Sequence, residues 1–166
     1  MKALKLVFLF SLIVPFGFYF GASAQEKFDH IPSSIMSAFE AHYPDAQLKN
    51  AKESKTGYDF KFTDKTKVYH AKFDAQGDWV ETVSHISWQW HLPVAVKSGL
   101  KNAVHGTWHP YDISLVETPI ETFYRVFVDN TNHPIDAEHQ LVLKEDYEID
   151  INPAGSVTSE KYTESN

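Results

Sequence analysis

The fold is decided by a stretch that occurs twice, as IPSSIMSAF at residues 31–39 and as LPVAVKSGL at residues 92–100. The two copies lie 61 positions apart, and their apolar, proline and serine positions align in order. Internal self-similarity of this kind is typical of folds built from repeated units. We therefore predict that the chain contains two copies of one structural unit.

Each copy has the apolar spacing of an amphipathic helix. Apolar residues recur every four positions and so lie along one helical stripe, formed by Ile31, Ile35, Phe39 and Tyr43 in the first copy and by Leu92, Val96, Leu100 and Val104 in the second. A proline precedes each helix, where its missing N–H costs nothing. We expect the first helix to end near residue 43, because Pro44 disfavours helical geometry just before it. Gly106 is the expected end of the second helix.

Strand patterns follow each helix. In the first half, residues 58–62 and 68–73 alternate in polarity, and a turn separates them from a further strand at 79–83. In the second half, we predict strands at 122–128, 140–144, 146–151 and 157–162. The second copy carries about 17 extra residues before its last hairpin, which we assign to the turn-rich segments 106–118 and 130–138.

Two copies of a helix followed by an antiparallel meander predict an α+β fold, in which the helices cover one face of a sheet and the other face is open. A copy of about 60 residues is close to the lower limit for burying an adequate core. We therefore expect one domain over residues 25–166, with repeats at about 28–84 and 92–163 joined by a Trp-rich linker at 85–91.

Residues 1–24 have the three-part pattern of a secretory signal peptide. Lys2 and Lys5 precede an apolar stretch at 6–20, and small residues at 21–24 supply an Ala-x-Ala motif before Gln25. An uncleaved anchor would need about 20 apolar residues. We expect cleavage before Gln25, a periplasmic or secreted protein, and no stable membrane anchor afterwards.

Composition excludes several classes of function. Without Lys2 and Lys5, 13 Lys and Arg residues oppose 22 Asp and Glu, a net charge of −9, whereas proteins that bind nucleic acid by neutralising phosphates need a positive face. The absence of cysteine excludes disulfides, thiolate metal sites and a cysteine nucleophile. The sequence has no recognised catalytic signature. We expect neither enzyme activity nor a cofactor, and a hydrolase of unrecognised type is the least favoured alternative.

These features resemble one family. The repeated helix start, YPDA at residues 43–46 and the Phe-Asp-x-x-Gly-x-Trp hairpin within residues 69–79 are similar to those of PepSY-like, β-lactamase-inhibitor-like secreted proteins of Bacteroidetes-type bacteria. The resemblance covers nearly all of residues 28–163. It implies tandem helix-plus-sheet repeats, export to the periplasm, no assigned catalysis and binding of another protein by the concave sheet face. YPDA is missing from the second copy, and the disulfides of the β-lactamase inhibitory protein cannot form here, so inhibition of a β-lactamase is not implied.

Tryptophans provide one group of candidate partner-binding residues. Trp88 and Trp90 lie two positions apart in the linker, so on an extended segment they point the same way. Exposed Trp side chains are strong anchors at protein interfaces. The other interpretation, which is favoured because large aromatic side chains are usually buried, is that the pair caps the core where the two copies meet. Trp108 is a further candidate.

The open sheet face provides the second group. If Tyr58, Phe60 and Phe62 point to the helices, Asp59 and Lys61 point outward in the first half. If Tyr124, Val126 and Val128 point to the helices, the side chains that point outward in the second half are Phe123, Arg125 and Phe127. A shift of register by one residue would reverse this assignment. An arginine flanked by aromatic residues has the composition of a binding hot spot. The alternative is a surface arginine in an otherwise buried strand.

Nine histidines invite a metal hypothesis. His105 and His109, with Asp112 nearby, approach the i, i+4 spacing of helical metal ligands, but Gly106 argues against a helix there. We therefore predict no metal site. Our leading hypothesis is an exported, non-catalytic protein that binds a protein or peptide of the cell envelope through the open sheet face, as an inhibitor or otherwise, and acts as a monomer or homodimer. The alternative is a small-ligand or metal-responsive envelope module that uses its histidines.

Overall fold

The computed structural model describes residues 28–132 and 145–163. The predicted signal peptide and the predicted strand at 140–144 lie outside the described residues. The helices and strands follow one another as α1 (Ser33–His42), β1 (Gln47–Ser54), β2 (Gly57–Asp64), β3 (Lys67–Asp74), β4 (Trp79–His85), α2 (Val94–Asn102), β5 (His109–Glu117), β6 (Thr122–Asp129), β7 (Asp146–Ile151) and β8 (Val157–Thr163). Short 3₁₀ turns lie at Gln89–His91 and Asn130–Asn132.

The eight strands form one antiparallel sheet, in which each strand pairs with the next along the chain. The predicted α+β class with an open antiparallel sheet and two helices is confirmed. A helix followed by four strands occurs twice in the element order. The ladder from Thr82↔Glu117 to His85↔Ser114 pairs β4 with β5 and makes the sheet continuous across the two halves.

Two apolar clusters lie on the helix side of the sheet. Around α1 the cluster is aromatic: Phe39 stacks on Phe60 with ring centroids 4.5 Å apart and meets Phe62 edge-on at 5.3 Å. Around α2 the cluster is aliphatic and contains Leu92, Val96, Leu100, Ile113, Val126, Val128, Ile149 and Ile151. Each cluster combines a helical stripe with alternating strand residues, as the periodicities predicted.

The two helices end differently. The first ends at His42, as Pro44 predicted. The second ends at Asn102, so Val104 leaves the predicted stripe and is 82 % exposed. The prediction that α2 reaches Gly106 is wrong, because the Glu160 carboxylate of β8 accepts hydrogen bonds from the backbone N–H groups of Val104 and His105 at 3.2 and 2.8 Å. These N–H groups therefore turn to β8 instead of extending the helix.

The assignment of extra turn residues is wrong at 106–118, because β5 occupies most of this segment. Its pattern was obscured by Pro110 and by a register shift between Pro110 and Asp112. The length difference lies mainly between β6 and β7, where residues 130–145 correspond to the two-residue turn 65–66 between β2 and β3. The sequence also gave no indication of β1, an edge strand that fully buries only Ala51.

Two glycines allow α2 to lie directly on the β7–β8 turn. A Cβ atom at Gly99 would lie 2.1 Å from the backbone oxygen of Gly155, whose φ is +88°. A positive φ in this range favours glycine, because other residues meet steric strain there. Backbone contact between helix and turn therefore requires glycine on both sides.

We predict that Gly99→Ala lowers the free energy of unfolding by about 1 to 3 kcal/mol, the usual cost of overpacking a tight contact. Urea unfolding followed by circular dichroism measures the change. Ser98→Ala, on the exposed side of the same helix, is the control and should stay within about 0.5 kcal/mol of the parent. Equal stability of Gly99→Ala and the parent would contradict the backbone contact.

A second prediction concerns pH. Partial burial alone would raise the pKa of Glu160, but hydrogen bonds from the backbone and ring of His105 and from the Val104 N–H lower that pKa below its ordinary value. A lowered pKa in the folded state stabilises the fold above the unfolded-state value, and this contribution is lost as the pH falls through the folded pKa. We expect Glu160→Gln to cost about 1 to 2 kcal/mol at neutral pH.

The measurement is urea unfolding of the parent and Glu160→Gln at neutral pH and again under acid conditions, below the ordinary glutamate pKa of 4.5. The stability difference between the two proteins should shrink at the lower pH. A difference that stays constant would mean that the charge of Glu160 does not hold the end of α2.

Candidate binding face

The sheet presents one face away from the helices, which we call the open face. Paired residues of an antiparallel sheet share a face, so the register defines its members. They include Asp59 and Lys61 of β2, His70 and Lys72 of β3, Glu81 and Val83 of β4, Ser114 and Val116 of β5, Phe123, Arg125 and Phe127 of β6, Glu148 and Asp150 of β7, and Lys161 of β8.

The register of β6 agrees with the prediction that directed Arg125 outward. Val126 and Val128 are fully buried in the α2 cluster, and Tyr124 packs against it. The intervening side chains therefore lie on the open face. Asp59 and Lys61 also lie on this face, as expected from the alternation in β2.

Arg125 is held by carboxylates of the neighbouring strand. Its Nε donates to Asp150 Oδ1 at 2.9 Å and its Nη2 donates to Oδ2 at 3.0 Å, a bidentate pair. Nε also lies 3.1 Å from Glu148 Oε1, which in turn is 2.8 Å from Lys161 Nζ. The hydrogen bonds to Asp150 raise the pKa of Arg125, against the opposing effect of partial burial. A quarter of the arginine side chain stays exposed.

Aromatic rings flank this arginine. The guanidinium carbon lies 5.2 Å from the centroid of the Phe123 ring, within the range of a cation–π contact. Phe123 is almost fully buried, whereas Phe127 is half-buried and its ring lies 6.1 Å from that of Tyr111. Tyr111 is exposed and was not predicted, because it lies at the register shift of the strand assigned to turns. Plain alternation would place Tyr111 on the helix side with Ile113, so no periodic signal indicates its position beside Phe127.

The first half of the open face carries a second charged cluster. Lys52 pairs with Asp59 at 3.7 Å, and Lys72 pairs with Glu81 at 2.6 Å, around a shallow depression that His70 also lines. Partial loss of hydration lowers the pKa of His70, and the charge of Lys61 lowers it further. This end of the face is therefore made of paired charges and a histidine that favours its neutral form.

Trp88 and Trp90 do not cap the core. Their rings stack in parallel, 4.7 Å apart, and the two side chains are 55 % and 63 % exposed. Trp90 lines a depression together with Val94 and Lys97 of α2. Since α2 packs on the helix side of the sheet, the pair lies away from Arg125. The interpretation as core residues is wrong.

Trp108 belongs to the core instead. It is partly buried against the α2 cluster and meets Tyr147 edge-on at 5.5 Å. The His105 ring contacts both of these rings, and its Nδ1 lies 2.7 Å from Glu160 Oε1. The position of Trp108 thus favours a packing role over partner binding.

The histidines considered as metal ligands do not converge. His105 contacts Glu160, His109 lies 3.5 Å from Asp129, and Asp112 is instead paired with His85 at 2.9 Å. Within residues 28–132 and 145–163, no three metal-ligating side chains form a cluster. In the same described part of the chain, no helix is long and apolar enough to cross a membrane.

Removing Arg125 should leave buried carboxylates without their partner. We predict that Arg125→Ala lowers the free energy of unfolding by about 3 kcal/mol, the cost of breaking a buried pair from one side. Adding Asp150→Ala to that variant should recover part of the loss, which a double-mutant cycle in urea measures. Lys161→Ala, a surface partner of the same cluster, should cost less than about 1 kcal/mol. Additive losses in the cycle would contradict the pairing.

Comparison with known proteins covers most of the chain. The sequence profile of the PepSY-like, beta-lactamase-inhibitor-like family matches residues 26–72 and 56–158. A search of curated protein sequences finds no match.

Solved structures show the same fold. A BLIP-like protein from Bacteroides fragilis superposes with a TM-score of 0.66 at 19 % identity, over 82 % of this chain and 89 % of that one. A DUF2874 family protein from Bacteroides uniformis gives a TM-score of 0.65 at 18 % identity, over 79 % and 88 % of the two chains. A protein from Bacteroides eggerthii, described as a candidate periplasmic protein, gives 0.61 at 18 % identity, over 80 % and 88 %. At these identities the likeness concerns the fold.

Proposed function

We propose, because this chain belongs to the PepSY-like, beta-lactamase-inhibitor-like family, that it is an exported binding protein without catalytic function, which engages a protein or peptide through the open face of its sheet. The observation that carries this proposal is the arrangement around Arg125. Its guanidinium is fixed by Asp150 and Glu148 and lies against Phe123, and Phe127 and Tyr111 lie farther along the same face.

Fixation of Arg125 matters for binding energy. A mobile arginine loses side-chain freedom when it is captured, and this loss subtracts from affinity. Here the bidentate pair with Asp150 has already removed that freedom in the unbound protein. Tyrosine adds rigid contact area at a low entropic cost, which is why it is enriched at interfaces. The exposed Tyr111 and the partly exposed Phe127 can then supply apolar contact beside a fixed cation.

Export is part of the same proposal. The signal-peptide pattern of residues 1–24 supports it, as does the description of the Bacteroides eggerthii protein that shares the fold. We also infer that the two halves are copies of one unit, since both consist of a helix and four strands and both place a positive-φ glycine, Gly77 or Gly155, in the last hairpin turn.

Metal binding by the histidines receives less support. His85, His105 and His109 are each engaged by a different carboxylate, which favours binding through the sheet over a histidine-based metal-responsive module. Binding through the open face is compatible with an inhibitory role. Whether binding inhibits depends on which protein is bound.

The test is affinity purification of the tagged protein from the cell envelope of the producing bacterium. We expect a partner to be recovered with the parent and to be lost, by about tenfold or more, with Tyr111→Ala/Phe127→Ala, because interface aromatics carry much of the binding energy. Val104→Ala, an exposed apolar residue on the helix side, is the matched control and should recover the partner unchanged.

Arg125→Lys adds a finer test, because lysine keeps the charge but cannot form the bidentate pair. It should weaken recovery of the same partner. Identical recovery with the double variant and the parent would contradict the proposed face. Turnover of peptide or glycoside substrates by the purified protein, with no partner recovered, would contradict the binding function itself.

A further inference from the structure

A second surface lies on the helix side of the sheet, which we call the Trp–Lys patch and define as Trp88, Trp90, Val94, Lys97 and Lys101. The two indoles and Val94, which is 75 % exposed, are among the most exposed large apolar side chains described. Trp90, Val94, Lys97 and Lys101 line one shallow depression between the 3₁₀ turn and α2. Clustered exposed apolar side chains indicate an interaction surface, whereas isolated ones do not.

The charge around the patch is segregated from the rest of the chain. Residues 82–111 contain no Asp or Glu, although the whole sequence has 22, and they include both lysines of the patch. None of the residues that line the depression is acidic. Carboxylates of other segments contact this stretch at His85, His105 and His109 and at the backbone N–H of Val104. An acidic protein thus presents a locally cationic surface beside its exposed aromatic residues.

The indoles of the patch also differ from a core indole in their polar contacts. The Nε1–H of Trp79 donates to Thr82 Oγ1 at 2.9 Å. Within the described residues, the N–H groups of Trp88 and Trp90 have no such intramolecular acceptor. A large apolar ring with an available N–H suits the boundary between water and lipid, where one end of the side chain is apolar and the other is hydrated.

We propose that the Trp–Lys patch docks reversibly on an anionic lipid surface. Trp88, Trp90 and Val94 enter the headgroup region, and Lys97 and Lys101 contact phosphate groups. The patch consists of a 3₁₀ turn and one helix face, and it contains no sheet edge that an extended peptide could join. Two indoles and two lysines give weak peripheral binding, which is compatible with the expected absence of a stable anchor.

Docking through this patch would orient the molecule. The helices and the open face lie on opposite sides of one sheet, so a protein that contacts lipid through α2 and the linker leaves Arg125 and its neighbours directed away from that surface. Lipid docking and partner binding would then proceed together without competition.

The test is cosedimentation with vesicles of phosphatidylcholine containing about 30 % phosphatidylglycerol, compared with phosphatidylcholine alone. The protein used begins at Gln25, because it retains every described helix and strand but lacks the apolar segment 6–20, which would bind lipid by itself. We expect binding to the anionic vesicles, binding weaker by about tenfold or more to the neutral ones, and a blue shift of tryptophan emission on binding.

Two variants locate the contact. Trp88→Ala/Trp90→Ala should weaken vesicle binding by about tenfold and abolish the blue shift, and Lys97→Glu/Lys101→Glu should weaken binding at least as much. Lys55→Glu/Lys67→Glu changes the net charge equally at two exposed positions of the first half, one in a turn and one at the start of β3. It is the matched control, expected to bind within about twofold of the parent. Circular dichroism verifies that each variant is folded.

Several results would overturn the proposal. Binding to neutral vesicles as strong as to anionic ones would show that charge plays no role. Equal losses of binding in the control and in the Lys97/Lys101 variant would show that only the net charge of the protein matters. Self-association that depends on Trp88 and Trp90, or binding of polyglutamate without vesicle binding, would make the patch a protein interface. Tyr111→Ala/Phe127→Ala should retain vesicle binding, so this proposal and the one for the open face fail independently.

Discussion

The pairing of β4 with β5 is the interaction on which the rest of the structure depends. Four residue pairs join the two halves, and each half has its own apolar cluster. A half of about 60 residues is close to the lower size limit at which such a core is stable alone. The ladder aligns the two clusters on the same side of one sheet and thereby places all outward side chains on a common opposite face. Thr82, in this ladder, also accepts the Trp79 indole N–H and contacts the Tyr43 hydroxyl, which ties the junction to α1.

Much of this fold could be predicted from the sequence, because most elements bury one regular stripe. The start and end of α1, the inner faces of β2 and β3, and the strands β6, β7 and β8 all follow from period-4 or period-2 patterns. Strands β1 and β5 were missed for a physical reason: β1 fully buries only Ala51, and β5 contains Pro110 beside a register shift. The end of α2 was also missed, since it is set by Glu160, more than 50 residues away in sequence.

The candidate sites, like the fold, have some features that the sequence patterns predict and others that they do not. Alternation in β6 sufficed to predict that Arg125 points outward, but it held no information about which residues of β7 would lie opposite. The hydrogen bonds and ion pair that Asp150 and Glu148 make with Arg125 depend on that pairing, and they hold the arginine in one position. For Trp88 and Trp90 the sequence favoured burial on general grounds, whereas a short 3₁₀ turn directs both rings outward. Local backbone geometry of this kind has no periodic signature.

The four tryptophans divide between the two halves and the linker. Trp79 packs against the aromatic cluster of the first half, Trp108 packs against the aliphatic cluster of the second, and the remaining two are the stacked pair in the linker. With phenylalanine in place of that pair, each half would keep a single tryptophan in its own environment, whose emission can be excited separately from that of tyrosine. Cooperativity between the halves would then become visible spectroscopically, as one shared transition or two separate ones, without any label attached to the chain.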